Sequence, residues 1–313
     1  MRVVFFGTPE FAVPPLEALL GEGFDVVAAV TQPDKPQGRS RSTAVPPPVK
    51  LAAEVEGVPV LQPARPSDPD FVARVRALAP DVGVVVAYGH ILKPDLLAVP
   101  RRGMINVHPS LLPELRGAAP VEWAILNGLE KTGVTIMLMD AGLDSGPILH
   151  QIPHHIDPEV TGGELSEHLS EMGAQALIEA LALLETDGLK PRPQDHARAT
   201  YVPKLTRDTA RIAWAESAER VTRLIRALDP KPGAWTELEG REVKLFGARA
   251  PQGEGAGEPG TIRTTDDGLL ITTGGGAVLV EEVQPAGKQR MTAPDWVRGR
   301  GVRPRGGGGQ RFT

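Results

Sequence analysis

Apolar positions along this chain fall into two textures. Through the first 150 residues, short unbroken apolar runs alternate with longer stretches whose apolar residues recur at helical spacing. Residues 2–7, 25–30, 59–61, 81–88, 103–108 and 133–139 are runs of the first kind, which form strands covered on both faces. Between them, residues 9–20, 49–56, 68–79 and 118–127 read as helices, the first with proline in its opening turn, and 164–185 reads as a long helix. Strands alternating with helices predict an α/β domain: a doubly wound, mainly parallel, Rossmann-like sheet, with 133–139 as the last strand of the series.

Two stretches break this pattern. Residues 31–48 are rich in Pro, Gly and cations with little to bury, and read as an irregular basic excursion. Residues 190–203, with Pro191, Pro193 and Pro203, read as an interdomain linker. Beyond them one helix near 218–228 precedes short alternating segments at 234–238, 243–248, 260–264, 269–273 and 277–283, separated by Glu239-Gly240, Asp267-Gly268 and Gly274-Gly275-Gly276. That texture predicts a small C-terminal β-barrel, oligonucleotide-binding-like in type. The expected division is a catalytic domain over 1–189, a linker over 190–205 and a C-terminal barrel over 206–313, in line with a length of 313 residues.

Composition narrows the classes. A hydrophobic share of 41% and a charged share of 23% suit a water-soluble globular protein, and no apolar run is long enough to span a membrane. The chain opens directly on a strand-like run without the sections of a secretory signal, so the expected location is the cytoplasm. Cysteine is absent, which excludes disulfides, thiolate catalysis and cysteine-ligated metal. The net charge of −5 hides an asymmetry: residues 1–205 hold 17 Lys+Arg and 25 Asp+Glu, whereas residues 206–313 hold 17 and 14. Lys288, Arg290, Arg298, Arg300, Arg303, Arg305 and Arg311 crowd the end of the chain, which suits either contact with a polyanion or a solvated tail.

The candidate chemistry lies at the end of the 103–108 run. Side chains on a strand alternate faces, so Asn106 and His108 point the same way. At the carboxyl end of a parallel strand, where open α/β sheets place their sites, an amide can donate to a developing oxyanion and an imidazole can carry a proton. A polar strand end with no function would look the same locally, so the rest of the chain must decide. Gly7-Thr8-Pro9-Glu10 lacks the glycines of a dinucleotide fingerprint, which disfavours a nicotinamide cofactor. His154-His155 would point their rings apart on extended chain, and no metal is expected.

Seven blocks, in this order, then carry a resemblance. They are Phe6-Gly7-Thr8-Pro9-Glu10-Phe11, Thr31-Gln32-Pro33-Asp34, Val85-Val86-Ala87-Tyr88-Gly89, Arg116-Gly117-Ala118-Ala119-Pro120, Thr132-Gly133-Val134-Thr135-Ile136-Met137, Leu143-Asp144-Ser145-Gly146 and Val283-Gln284-Pro285-Ala286-Gly287-Lys288. With Asn106, His108 and the Ser-Leu-Leu-Pro run they make the chain resemble the methionyl-tRNA formyltransferase family nearly end to end. The resemblance implies 10-formyltetrahydrofolate as formyl donor and the amine of initiator methionyl-tRNA as acceptor. It implies Asn106, His108 and Asp144 as the catalytic trio, Ser110, Leu111, Leu112 and Pro113 as a folate-binding turn, and Arg39, Arg41, Lys204 and Arg207 as tRNA contacts. Pro109 and Glu114 depart from the family, which has Gly and Arg there. In this trio Asp144 would fix the ring of His108 and balance the charge it gains. A monomer is expected. The alternatives are a formyltransferase acting on another amine, a hydrolase of the folate donor, and a non-catalytic RNA-binding protein, which would leave the trio unemployed.

Overall fold

The computed structural model of the protein describes residues 1–37, 43–186, 188, 190–251, 255, 257–299 and 310–313. It divides into two compact units. The first takes Met1–Pro120, Lys131–His155 and Ser166–Val202, and the second takes Val121–Glu130, Ile156–Leu165 and Pro203–Thr313.

In the first unit the strands are, in chain order, β1 (Arg2–Gly7), β2 (Asp25–Val30), β3 (Lys35–Gln37), β4 (Thr43–Val45), β5 (Val60–Leu61), β6 (Val82–Val86), β7 (Met104–His108), β8 (Arg116–Gly117), β9 (Lys131–Leu138), β10 (Ile148–His155) and β11 (Tyr201–Val202). The main sheet runs β10-β9-β7-β6-β1-β2-β5. From β5 to β7 every pairing is parallel, and β9 and β10 are added antiparallel. β1 and β6 are buried along nearly their whole length, as strands with both faces covered must be. Val4, Phe6, Val30, Tyr88, Leu96 and Met104 belong to one apolar cluster of this unit. The helix expected over 9–20 starts in two steps, a 3-10 turn Glu10–Ala12 and then Val13–Gly21. Pro14 and Pro15 fall in its first turn, where amides lack intrahelical partners.

Three expectations change here. β10 extends the series past its expected last strand: Pro153 and three histidines disguise Ile148–His155, yet an edge strand tolerates proline because one row of its amides has no partner strand. The stretch over 31–48 is not irregular throughout, since β3 and β4 pair antiparallel. Asp34 anchors the base of this ribbon, accepting from Gln62 at 2.7 Å and Lys50 at 2.8 Å. These two bonds hold its carboxyl below the usual carboxylate range. Third, residues 190–202 are not a tether. Arg192 exchanges backbone bonds with Ile148, Gln194 is buried, and β11 pairs in parallel with β8. Proline removes ladder donors without preventing single bridges or burial, so a proline-rich segment can lie packed against a domain.

Asp81, at the start of β6, fastens the opposite end of the sheet. Its carboxylate accepts from the Arg2 amide at 2.8 Å and from Arg101, and these contacts lower its pKa, the Arg2 bond most. A carboxyl lowered by folding stabilises fully above its unfolded value of about 4 and loses that contribution as pH falls through the folded value. Asp81→Asn is therefore expected to flatten this part of the acid-unfolding curve while leaving neutral-pH activity intact. Circular dichroism against pH on both proteins checks it; an unchanged acid limb refutes the role.

The second unit holds β12 (Ala234–Leu238), β13 (Arg241–Arg249), β14 (Ile262–Thr264), β15 (Leu269–Thr272), β16 (Ala277–Pro285) and β17 (Met291–Thr292). They form an antiparallel sheet ordered β12-β13-β16-β15-β14, with β17 on β16. The last residues of the chain close it. Thr313 exchanges two backbone bonds with Glu237 of β12, while Gln310 and Phe312 bond to Ile262 of β14 and to Gly260 just before it. Phe312 is 1% exposed and stacks on Trp214 and Trp296, at centroid distances of 5.7 and 6.5 Å. The sheet is thus closed into a small barrel whose two edges are joined by the carboxyl terminus, which removes the open edges.

Three of the cations that crowd the end of the chain have carboxylate partners within this unit. Arg290 is bidentate to the buried Asp229, pairs with Glu282 and lies over Phe246; Arg298 pairs with Asp295 and Arg311 with Glu258. Arg300, Arg303 and Arg305 lie outside the described residues. Among the described residues, no helix is long and apolar enough to cross a membrane.

Candidate active site

Strand β7 delivers the first two side chains. Asn106 and His108 lie on the same face of the strand, with Asn106 half-buried and His108 only 4% exposed. β7 holds His108 opposite Thr135 of β9, and its neighbour on the other side is β6. Beyond its carboxyl end the chain turns back on itself. The Ser110 amide donates to the His108 carbonyl at 2.9 Å, and the His108 Nε2 lies 3.0 Å from the Leu115 carbonyl. Facing a carbonyl, Nε2 carries the proton and donates, so in the neutral ring Nδ1 is free to accept one.

Asp144 meets that nitrogen. Its Oδ2 stands 4.0 Å from His108 Nδ1, within ion-pair reach and beyond a hydrogen bond. The same oxygen accepts from the Gly117 amide at 2.8 Å. Asp144 itself has φ +50°, in the left-handed region that non-glycine residues rarely enter. Two glycines are needed around it. Gly117 has φ +106° and would place a Cβ 2.5 Å from the Val202 carbonyl oxygen. A Cβ at Gly146 would meet the Leu138 carbonyl oxygen at 1.8 Å. Gly117→Ala should therefore push its amide off the carboxylate and lower turnover, an outcome that steady-state kinetics on the folded variant can check.

The four residues expected to form a folate-binding turn are placed close by, but most of their side chains face inward. Ser110 is fully buried and donates to the Glu114 carbonyl at 2.6 Å; Leu112 and Pro113 are buried, and Leu111 is half-buried. Thr135 and Gln151 shape the turn: Thr135 Oγ1 donates to the Ser110 carbonyl at 2.6 Å and accepts from the Leu112 amide, while Gln151 donates to the Leu112 carbonyl at 3.0 Å. A ligand at this turn would meet its backbone and Leu111 rather than the serine hydroxyl. Sequence reasoning missed Thr135 and Gln151, because nothing in their neighbourhoods points to residues 110–113.

Of the four residues expected to contact tRNA, Lys204 and Arg207 fall among the described residues. Arg39 and Arg41 lie outside the described residues. Lys204 and Arg207 belong to the second unit and are exposed there. Arg207 is engaged, paired with Glu242 at 2.6 Å and lying 4.2 Å above the Trp235 ring. Glu114 is paired with Arg198 at 3.4 Å. Among the described residues no cluster of His, Asp and Glu suits a metal ion.

An amide and an imidazole on β7 and a carboxylate from the loop after β9 come together here, groups that can stabilise an oxyanion and carry a proton. Residues 1–181 match the family described as Formyl transferase, and residues 204–301 match its C-terminal domain. The chain belongs to the formyl transferase family. Its similar relatives include the methionyl-tRNA formyltransferase of Roseiflexus sp. (strain RS-1), 50% identical over 96% of this chain and 92% of that one. The methionyl-tRNA formyltransferase of Geobacillus thermodenitrificans (strain NG80-2) is 46% identical over 96% and 95%. Among solved structures, HypX from Aquifex aeolicus in complex with tetrahydrofolic acid has a TM-score of 0.70 at 17% identity. That alignment covers all of this chain and 51% of HypX, so the present chain spans about half of that protein. WlaRD, a sugar 3N-formyl transferase, has a TM-score of 0.68 at 16% identity, covering 92% of this chain and 99% of that one. At such identities the likeness is one of fold.

Proposed function

We propose that this chain transfers the formyl group of 10-formyltetrahydrofolate to the amine of methionine on initiator methionyl-tRNA, for translation initiation, as a cytoplasmic monomer. The observation that carries the reading is the site at the end of β7, Asn106 and His108 facing one way with Asp144 turned to Nδ1, in a chain 46–50% identical to relatives of that name.

The chemistry follows from the residues. The amine attacks the formyl carbon, a C–N bond forms, and the carbonyl electrons move to oxygen. The Asn106 amide donates to that oxygen, an interaction typically worth about 3 kcal/mol in the transition state. The attacking nitrogen becomes positive, and His108 takes its proton at Nδ1. The imidazolium then sits between the Leu115 carbonyl and the Asp144 carboxylate, so both its N–H groups face acceptors. Collapse restores the carbonyl and breaks the bond to N10 of the folate, which leaves with the proton returned by the imidazolium. Tetrahydrofolate and formylmethionyl-tRNA are the products.

Arg39 and Arg41 are assigned to the acceptor end of the tRNA, Lys204 and Arg207 to its phosphates. Because Arg207 already has Glu242 as partner, Lys204 should carry more of this contact. Lys204→Ala is expected to weaken tRNA binding and to lower the slope of log affinity against log salt by about one. Filter binding across a salt series measures it.

The reaction itself is tested by incubating the chain with 10-formyltetrahydrofolate with and without methionyl-tRNA. Formylmethionyl-tRNA and tetrahydrofolate should appear in equal amounts, and only with the tRNA present. Formate release without tRNA would make the chain a donor hydrolase, and tRNA binding without turnover would make it an RNA-binding protein.

A further inference from the structure

Among the described residues Arg116 is the largest fully buried side chain, at 1% exposure, and it has no carboxylate partner there. Its donors go to neutral acceptors instead. Nε and Nη2 both reach Gln194 Oε1, at 3.1 and 2.6 Å, Nη1 reaches the Tyr201 hydroxyl at 3.0 Å, and Nη2 lies 3.2 Å from His196 Nδ1. An arginine buried without an anion is costly, and such groups usually persist where they serve a purpose.

Gln194 indicates the purpose. It is 5% exposed, and every hydrogen-bonding position of its amide is used. Oε1 accepts twice from Arg116, while Nε2 donates to the Asp144 carbonyl at 2.9 Å and to the Gly146 carbonyl at 2.7 Å. The amide can sit only one way round, since a flip would turn its N–H groups on the guanidinium and its oxygen on two carbonyls. Glutamate could satisfy Arg116 but could not donate to the turn. The charge on Arg116 draws electron density through the amide and strengthens both donations. Those two bonds grip the turn that holds Asp144 at φ +50°, and the residue after Arg116, Gly117, binds the Asp144 carboxylate from the other side.

We infer that Gln194, polarised by the buried Arg116, is a positioning residue for formyl transfer, holding the Asp144–Gly146 turn so that the carboxylate faces His108 Nδ1. This rests on the proposed role of Asp144. It also gives work to residues 190–202, which local sequence had made a linker.

The test uses the full-length enzyme with Gln194→Glu, Gln194→Met and Asp144→Ala, assayed for kcat, KM and the pH dependence of kcat. Gln194→Glu keeps and strengthens the partner of Arg116, so the fold is expected to hold, while the turn loses both donors. A carboxylate displaced by about 1 Å can cost on the order of 100-fold in rate. The expected result is a kcat lowered roughly 10- to 100-fold, KM values little changed, and a displaced pH profile, with Gln194→Met behaving alike. Wild-type kcat and pH profile in Gln194→Glu overturn the inference. So does a fall in activity that only follows the loss of folded protein, with the profile of the residual enzyme unmoved in both variants. Near-normal turnover in Asp144→Ala would instead sink the proposed role of Asp144, a separate failure that the same series identifies.

Discussion

His108→Ala is expected to reduce formyl transfer at saturating substrates by about 100- to 10,000-fold, the usual contribution of a positioned proton carrier. The geometry explains why the loss should be so large and so specific. His108 is 4% exposed, its Nε2 faces the Leu115 carbonyl, and its Nδ1 faces a carboxylate that accepts from the Gly117 amide. Water entering the vacated space cannot reproduce that alignment. Asn106→Ala should lose about 100- to 1,000-fold through the oxyanion. Pairing His108→Ala with Asp144→Ala should add little to the larger single loss, because the two act as one unit. Single-turnover rates on folded variants decide this. Independent, multiplicative losses would show that Asp144 works by some route other than His108.

Phe312→Ala should destabilise the C-terminal barrel by about 3–5 kcal/mol, although it lies one residue from the end of the chain. The ring is 1% exposed between two indoles, and its backbone helps to close the sheet, so the variant loses both a core side chain and an anchor for the joined edges. All four tryptophans, Trp123, Trp214, Trp235 and Trp296, belong to the second unit, so their fluorescence follows that unit alone during denaturation. A marked drop in its midpoint is expected, with Phe312→Leu falling between variant and wild type. An unchanged midpoint would mean that the contacts of residues 310–313 are dispensable. Deleting residues 310–313 should reproduce the defect, which a purely solvated tail would not.

Local pattern along the chain was enough for the strands of the main sheet up to β9, most of its helices, the change of texture near residue 205, and the shared face of Asn106 and His108. Each depends on residues a few positions apart: an apolar run, a period of two, a proline in a first turn. Such patterns lose their meaning where neighbours serve different ends. Pro153 and its histidines hid β10, and the prolines of 190–203 suggested a tether, because composition reports the donors a segment lacks and not what it lies against. The family resemblance supplied Asp144, which local pattern alone did not single out.

The remaining features depend on partners far apart in the chain. Arg116 and Gln194 are 78 residues apart, and the turn that Gln194 grips lies 48 to 50 residues before it. Phe312 finds its place against Trp214 and Trp296. The physical reason is the same in both cases: a buried polar group must be satisfied and a buried ring must be packed, and the partners that do so are brought by the fold from any distance along the chain. For that reason Asn106 and His108, proposed to carry the chemistry, stood out along the sequence, whereas the partnership of Arg116 with Gln194 did not.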